Sequence, residues 1–126
     1  MAWIYRGSAS GYASPSSETL FSPVDLADSD GFGESVAVLG DGDGDGSPDV
    51  AVAAPSHLQD GRNSGLIAVF YGSANGIAAS GRTQILQANS SKMLYLGMTM
   101  LGGRDFDGDG RPDLVVGTAD IARPSD

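Results

Sequence analysis

No cysteine occurs anywhere in the chain, which excludes a disulfide scaffold and any thiolate metal site. Basic residues are scarce: seven Lys and Arg against sixteen Asp and Glu give a formal charge of −9. No basic stripe is present to displace counterions from phosphates, so the chain is read as having no nucleic-acid partner. An anionic membrane surface is disfavoured for the same reason. Long apolar runs are missing too, and no window approaches the roughly 18 apolar residues of a membrane span. The opening "MAWIYRGSAS" has no charged segment followed by an apolar stretch, so no signal peptide is predicted in this chain. Histidine is almost absent. The single His57 lies in the polar stretch "SHLQDGRNSG" with no nucleophile pattern beside it, and is read as a surface residue rather than a general base. "GSASG" and "GRNSG" are not the Gly-x-Ser-x-Gly elbow, and no Ser/His/Asp set follows from spacing. The reading is therefore of a chain without catalytic activity.

What remains is 40% apolar, with 19 glycines among 126 residues and regular polar punctuation. That composition suits one small loop-rich β domain, or a piece of a larger one, better than a disordered chain. Sustained apolar periodicity of 3.6 residues over a helical length is missing.

The chain repeats itself. "FGESVAVLGDGDGDGSPDVAVAA" (32–54) aligns with "LGMTMLGGRDFDGDGRPDLVVGT" (96–118) at a constant offset of 64. "YRGSASGYA" (5–13) aligns with "FYGSANGIA" (70–78) at an offset of 65. The order along the chain is thus second half, first half, second half, first half. Four short strands per repeat are predicted: 34–40 or 98–103, 48–54 or 112–118, 65–72 or 2–7, and 83–88 or 18–22. Four-stranded antiparallel units in series suggest propeller blades. The predicted organisation is strands three and four of a blade in 1–31, a complete blade in 32–95, and strands one and two of a blade in 96–126. Trp3, Ile4 and Tyr5 alternate on one strand, and Trp3 is assigned to core packing. Met93, Met98 and Met100 are read as core filler. Asn89-Ser90-Ser91 is a glycosylation sequon that matters only in a eukaryotic secretory setting.

Between the first and second strands lies an acidic loop. Counted from Asp41, aspartates occupy positions 1, 3, 5 and 9 (Asp41, Asp43, Asp45, Asp49), with Gly46 at 6 and the Ser47 carbonyl available at 7. The second copy gives Asp105, Asp107, Asp109, Gly110, the carbonyl of Arg111, and Asp113. Alternate residues of a tight loop point inward together, and glycine permits the turns that curl the backbone around a centre. A hard cation taking six to eight oxygens at about 2.3–2.6 Å suits this set, and Ca²⁺ tolerates an irregular shell better than Mg²⁺. A helix-loop-helix calcium hand is excluded, because position 12 is Val52 or Val116 where that motif needs a bidentate acid. Two Ca²⁺ per chain are predicted, and their four positive charges would take the formal charge from −9 to −5.

These stretches resemble the FG-GAP repeat of integrin α-subunit propellers and their bacterial relatives. Phe32-Gly33 stands at the "FG" and Ala53-Ala54-Pro55 at the "GAP". The resemblance covers almost the whole chain and implies an all-β propeller with Ca²⁺ in the hairpin between first and second strands. Leu96 replaces the second copy's Phe, and "GTA" replaces its "GAP". The resemblance implies a non-enzymatic binding, adhesion or scaffold module, extracellular or at the cell surface in the parent protein, with a protein or carbohydrate ligand. The rival readings are part of a calcium-dependent polysaccharide-cleaving propeller, or a designed or excised piece without its own ligand. The offset halves further predict a homo-oligomeric ring closed by strand exchange, a trimer of six blades, with a tetramer of eight as the alternative.

Overall fold

A computed structural model describes residues 1–77, 81–88 and 94–119. Along the chain lie β1 (Ala2–Ile4), β2 (Gly7–Ser8), β3 (Gly11–Tyr12), β4 (Glu18–Leu20) and a 3₁₀ turn (Asp28–Asp30). Then come β5 (Ser35–Gly40), β6 (Asp49–Ala54), β7 (Leu58–Gln59), β8 (Arg62–Asn63), β9 (Leu66–Phe70), β10 (Thr83–Leu86), β11 (Thr99–Arg104) and β12 (Asp113–Gly117). No α-helix occurs among the described residues. The expected four-stranded antiparallel unit is present as the sheet β10-β9-β6-β5, flanked by the two-stranded sheets β1-β4 and β11-β12. Asn89-Ser90-Ser91 and Met93 lie outside the described residues.

The central sheet is apolar on both faces because it is covered on both. Successive side chains of a strand alternate in direction, and β6 and β9 sort their residues accordingly. Ala51, Ala53, Ile67 and Val69 join Leu39 on one face, against which Met100, Leu114 and Val116 of β11 and β12 pack. Val52, Ala68 and Phe70 take the other face with Leu20, against which Ala2 and Ile4 of β1 pack. Phe32 closes that second cluster edge-to-face on Phe70, with ring centroids 6.4 Å apart. Alanines in β6 keep the sheets close. Gly97, at φ +93°, completes the approach: a Cβ there would stand 2.6 Å from the Ala53 Cβ. Full burial of side chains such as Leu66 and Ile67 contributes about 1.5–3 kcal/mol each.

The repeat seen in the sequence is also a repeat of pairing. Ser35↔Ala53, Val36↔Val52 and Ala37↔Ala51 in β5–β6 become Thr99↔Gly117, Met100↔Val116 and Leu101↔Val115 in β11–β12. Both pairs carry a register shift just before the acidic loop, between Val38 and Gly40 and between Leu101 and Arg104. Likewise Gln84↔Val69 and Leu86↔Ile67 in β9–β10 correspond to Ile4↔Glu18 and Ala2↔Leu20 in β1–β4.

Three expectations need correction. Trp3 is 55% exposed, because only the Ile4 face of β1 meets the central sheet. Met98 is also exposed, whereas Met100 packs against the core. His57 is not a bare surface residue: its Nδ1 lies 2.9 Å from Oδ2 of the buried Asp30.

Candidate metal centre

Each acidic loop follows the register shift at the end of a first strand and leads into a second. Within the first loop the carboxylates organise the backbone before any ligand is considered. Asp41 Oδ1 accepts from the amides of Gly44 (2.7 Å) and Asp45 (3.0 Å), and its Oδ2 accepts from Gly46 (2.8 Å). Gly44 and Gly46 sit at φ +82° and +89°, a region that side chains disfavour, so the curl is built on glycine. Asp43 Oδ1 accepts from Asp45 N at 3.2 Å, and Asp45 Oδ1 from Ser47 N at 2.8 Å.

The second loop reproduces this. Asp105 accepts from Gly108 (2.7 Å), Asp109 (3.2 Å) and Gly110 (2.8 Å), Asp107 from Asp109 (3.1 Å), and Asp109 from Arg111 (2.8 Å). The Gly46 amide, with those of Gly44 and Asp45 and a contribution from Asp43, holds the Asp41 carboxyl below its ordinary value, against a smaller opposing effect of desolvation. Gly110, Gly108, Asp109 and Asp107 act in the same way on Asp105. Both leading aspartates are therefore ionised across the neutral range.

Asp41, Asp43 and Asp45 each bring one oxygen within 4.8 Å of the others, and Asp105, Asp107 and Asp109 do the same. Two oxygens on opposite sides of a Ca²⁺ at about 2.4 Å each would be separated by about this much, so the donor set fits a hard divalent cation. The ninth-position aspartates stand apart from these clusters. Asp49 is 1% exposed and ties the loop to the sheet, its Oδ2 accepting from Gly42 N (2.9 Å) and its Oδ1 from Gly72 N (2.8 Å) at the end of β9. Asp113 keeps the first of these bonds, from Phe106 N at 2.7 Å. The Ser47 and Arg111 amides are engaged as described, and no contact of their carbonyls is seen among the described residues.

One partner was not evident from the sequence. Arg82, just before β10, reaches back to Asp43 Oδ2 at 2.6 Å while its guanidinium lies 4.9 Å from the centre of the Tyr71 ring. The first loop thus has a basic neighbour 39 residues away in sequence, which loop composition alone does not reveal. Asp107 has no such ion pair among the described residues.

A four-stranded antiparallel sheet with smaller sheets on both faces, and an acidic hairpin loop in each copy of a repeat, defines a module of β-propeller blades. The FG-GAP repeat profile matches residues 32–70 and 96–120, half of the chain. The chain belongs to the FG-GAP repeat family. It is 37% identical over 95 residues to integrin alpha-E of Mus musculus, an alignment covering 72% of this chain and 8% of that protein. Integrin alpha-7 of Homo sapiens is 40% identical over 92 residues, covering 72% of this chain and 7% of the relative. Integrin alpha-5 of Xenopus laevis is 40% identical over 89 residues, covering 68% and 8%. The chain spans less than a tenth of the length of these relatives.

Proposed function

We propose that this chain is a calcium-holding, non-enzymatic propeller module that serves as a binding, adhesion or structural scaffold. The observation that carries the reading is the pair of matched loops, each gathering three carboxylate oxygens within 4.8 Å where two strands must be joined in register. One Ca²⁺ per loop relieves the repulsion of those carboxylates and fixes the turn. Asp41, Asp43 and Asp45 offer the clustered oxygens for the first ion and Asp105, Asp107 and Asp109 those for the second. Asp49 with the Ser47 carbonyl, and Asp113 with the Arg111 carbonyl, complete each shell in this reading. The two ninth-position aspartates approach from outside the cluster while they keep their backbone amide bonds. The non-enzymatic part of this reading is supported by the kinship with integrin α chains. Residues 32–95 form a complete blade, with 1–31 and 96–126 each contributing half of another. Copies of the chain close into a ring by exchanging these halves, a trimer before a tetramer. The same kinship supports a cell-surface or extracellular setting, and the ligand in this reading is a protein or carbohydrate.

Calcium titration by calorimetry tests the metal reading. Two ions per chain are expected, and Asp45→Ala and Asp109→Ala should each leave one. Absence of saturable binding would refute it.

A further inference from the structure

Resting on the strand-exchange reading, we infer that the outer edge of β12 takes β1 of a second copy of this chain, in a register the chain itself displays. Within the central sheet β6 pairs with β9 as Val50↔Phe70, Ala51↔Val69, Val52↔Ala68 and Ala53↔Ile67. Among the described residues β12 pairs only with β11, and β1 only with β4. β12 repeats β6 at an offset of 64, in sequence and in its pairing with the preceding strand. β1 stands at an offset of 65 from β9, with its partner β4 at 66 from β10. Transferring the register gives Leu114↔Tyr5, Val115↔Ile4, Val116↔Trp3 and Gly117↔Ala2 between copies.

Three independent features of the two edges complement one another. The first is a hydrogen bond with one half missing. In the central blade Asp49 Oδ1 accepts from Gly72 N. Its counterpart Asp113 bonds only Phe106 N, through Oδ2, among the described residues. The counterpart of Gly72 is Gly7, so Gly7 N of the second copy meets the open Asp113 Oδ1.

The second feature is a glycine whose need for smallness is not met within one chain. A Cβ on Gly72 would collide with the Pro48 carbonyl oxygen, so glycine is required there. A Cβ on Gly7 meets only the Tyr12 ring, at 3.7 Å. In the inferred pairing Gly7 faces the Pro112 carbonyl as Gly72 faces that of Pro48.

The third is apolar surface. β5 and β6 use Ala37, Leu39, Ala51 and Ala53 to cover Met100, Leu114 and Val116. Advancing this contact by one repeat places Leu101 and Val115, 58% and 50% exposed, on Val36 and Val50 of the next copy. A groove of about 360 Å³ lies there, lined by Ala2, Ile4, Leu20, Val36 and Val50. Trp3, pointing to the opposite face of β1, is covered by the copy that supplies β12. The same docking therefore buries the exposed apolar residues on both flanks.

The test uses the 126-residue chain with Ca²⁺ present. Light scattering over a dilution series should show reversible association, accompanied by a blue shift of emission from Trp3, the only tryptophan. Because the chain lacks cysteine, Ile4→Cys with Val115→Cys in one chain should give reducible covalent multimers. Ile4→Cys with Gly117→Cys, a two-residue slip, should not, since diagonal partners lie beyond disulfide reach. Gly7→Ala should keep the circular dichroism of the dilute chain and weaken association at least tenfold. A chain monomeric at every concentration would overturn self-assembly altogether. Association with cross-linking only in the slipped pair, or unweakened by Gly7→Ala, would leave assembly standing and refute this register.

Discussion

Asp49→Ala and Asp113→Ala remove equivalent aspartates from two copies of one repeat, yet the structure assigns them unequal costs. Asp49 is 1% exposed, and both its oxygens accept backbone N–H groups, one bond wholly buried. Alanine leaves the Gly72 N–H without a partner inside the protein, a loss of about 1–3 kcal/mol, and the partly buried Gly42 N–H adds about 1 kcal/mol. Relief of the carboxylate's own desolvation trims this, so a net loss of about 1.5–3 kcal/mol is expected. Asp113 holds one exposed bond, to Phe106 N, and its loss should cost about 0.5–1.5 kcal/mol. Urea unfolding followed by circular dichroism, in chelator and at the lowest practical protein concentration, isolates these bonds from metal binding and association. With a slope of about 1–3 kcal/mol per molar urea, the midpoints of the two variants should differ by roughly 1 M. At concentrations where copies associate, the cost of Asp113→Ala should rise towards that of Asp49→Ala. Equal losses in dilute solution, or a larger loss for Asp113→Ala, would refute the reasoning.

Arg82→Ala should strengthen calcium binding at the first loop by about two- to fivefold, the worth of an exposed ion pair, and leave the second loop unchanged in site-resolved NMR titration. Asp41 and Asp105 have folded-state pKa values below the ordinary 3.8, so the stability they lend is present above that value and lost as the pH falls through the folded value. Carbon-detected NMR should accordingly place both carboxyl midpoints below 3.8, and the amide shifts of Gly46 and Gly110 should move with them. Gly97→Ala forces a side chain into a left-handed backbone and into the Ala53 Cβ, and should destabilise by about 2–4 kcal/mol in thermal unfolding.

The parts of this protein legible in its sequence are those in which one residue type at one spacing has one physical solution. The offset of 64 found the strand pairs, because aspartates, glycines and prolines that shape a hairpin recur only where the hairpin does. The same pattern found the acidic loops. Other features were hidden because they join residues far apart in the chain. Nothing local in "GRTQ" points Arg82 at Asp43, and nothing in "ADSDG" pairs Asp30 with His57. One miss did carry a signal: the β7–β8 hairpin turns on Asp60-Gly61, both at positive φ, which is a strong hairpin dipeptide inside what reads as a polar loop. Trp3 was misjudged for another reason. An aromatic residue on a strand implies that something covers it, without saying which molecule supplies the cover.

Calcium-dependent stability tests the central claim most directly. If the two loops are metal centres that hold their strands in register, unfolding at a hundredfold excess of Ca²⁺ over Kd should gain about 2.7 kcal/mol per site relative to chelator. For a chain of this size that is a rise in Tm on the order of 10 °C per site. Asp45→Ala and Asp109→Ala should each remove about half of the rise. A Tm that is the same in Ca²⁺ and in chelator would contradict the account.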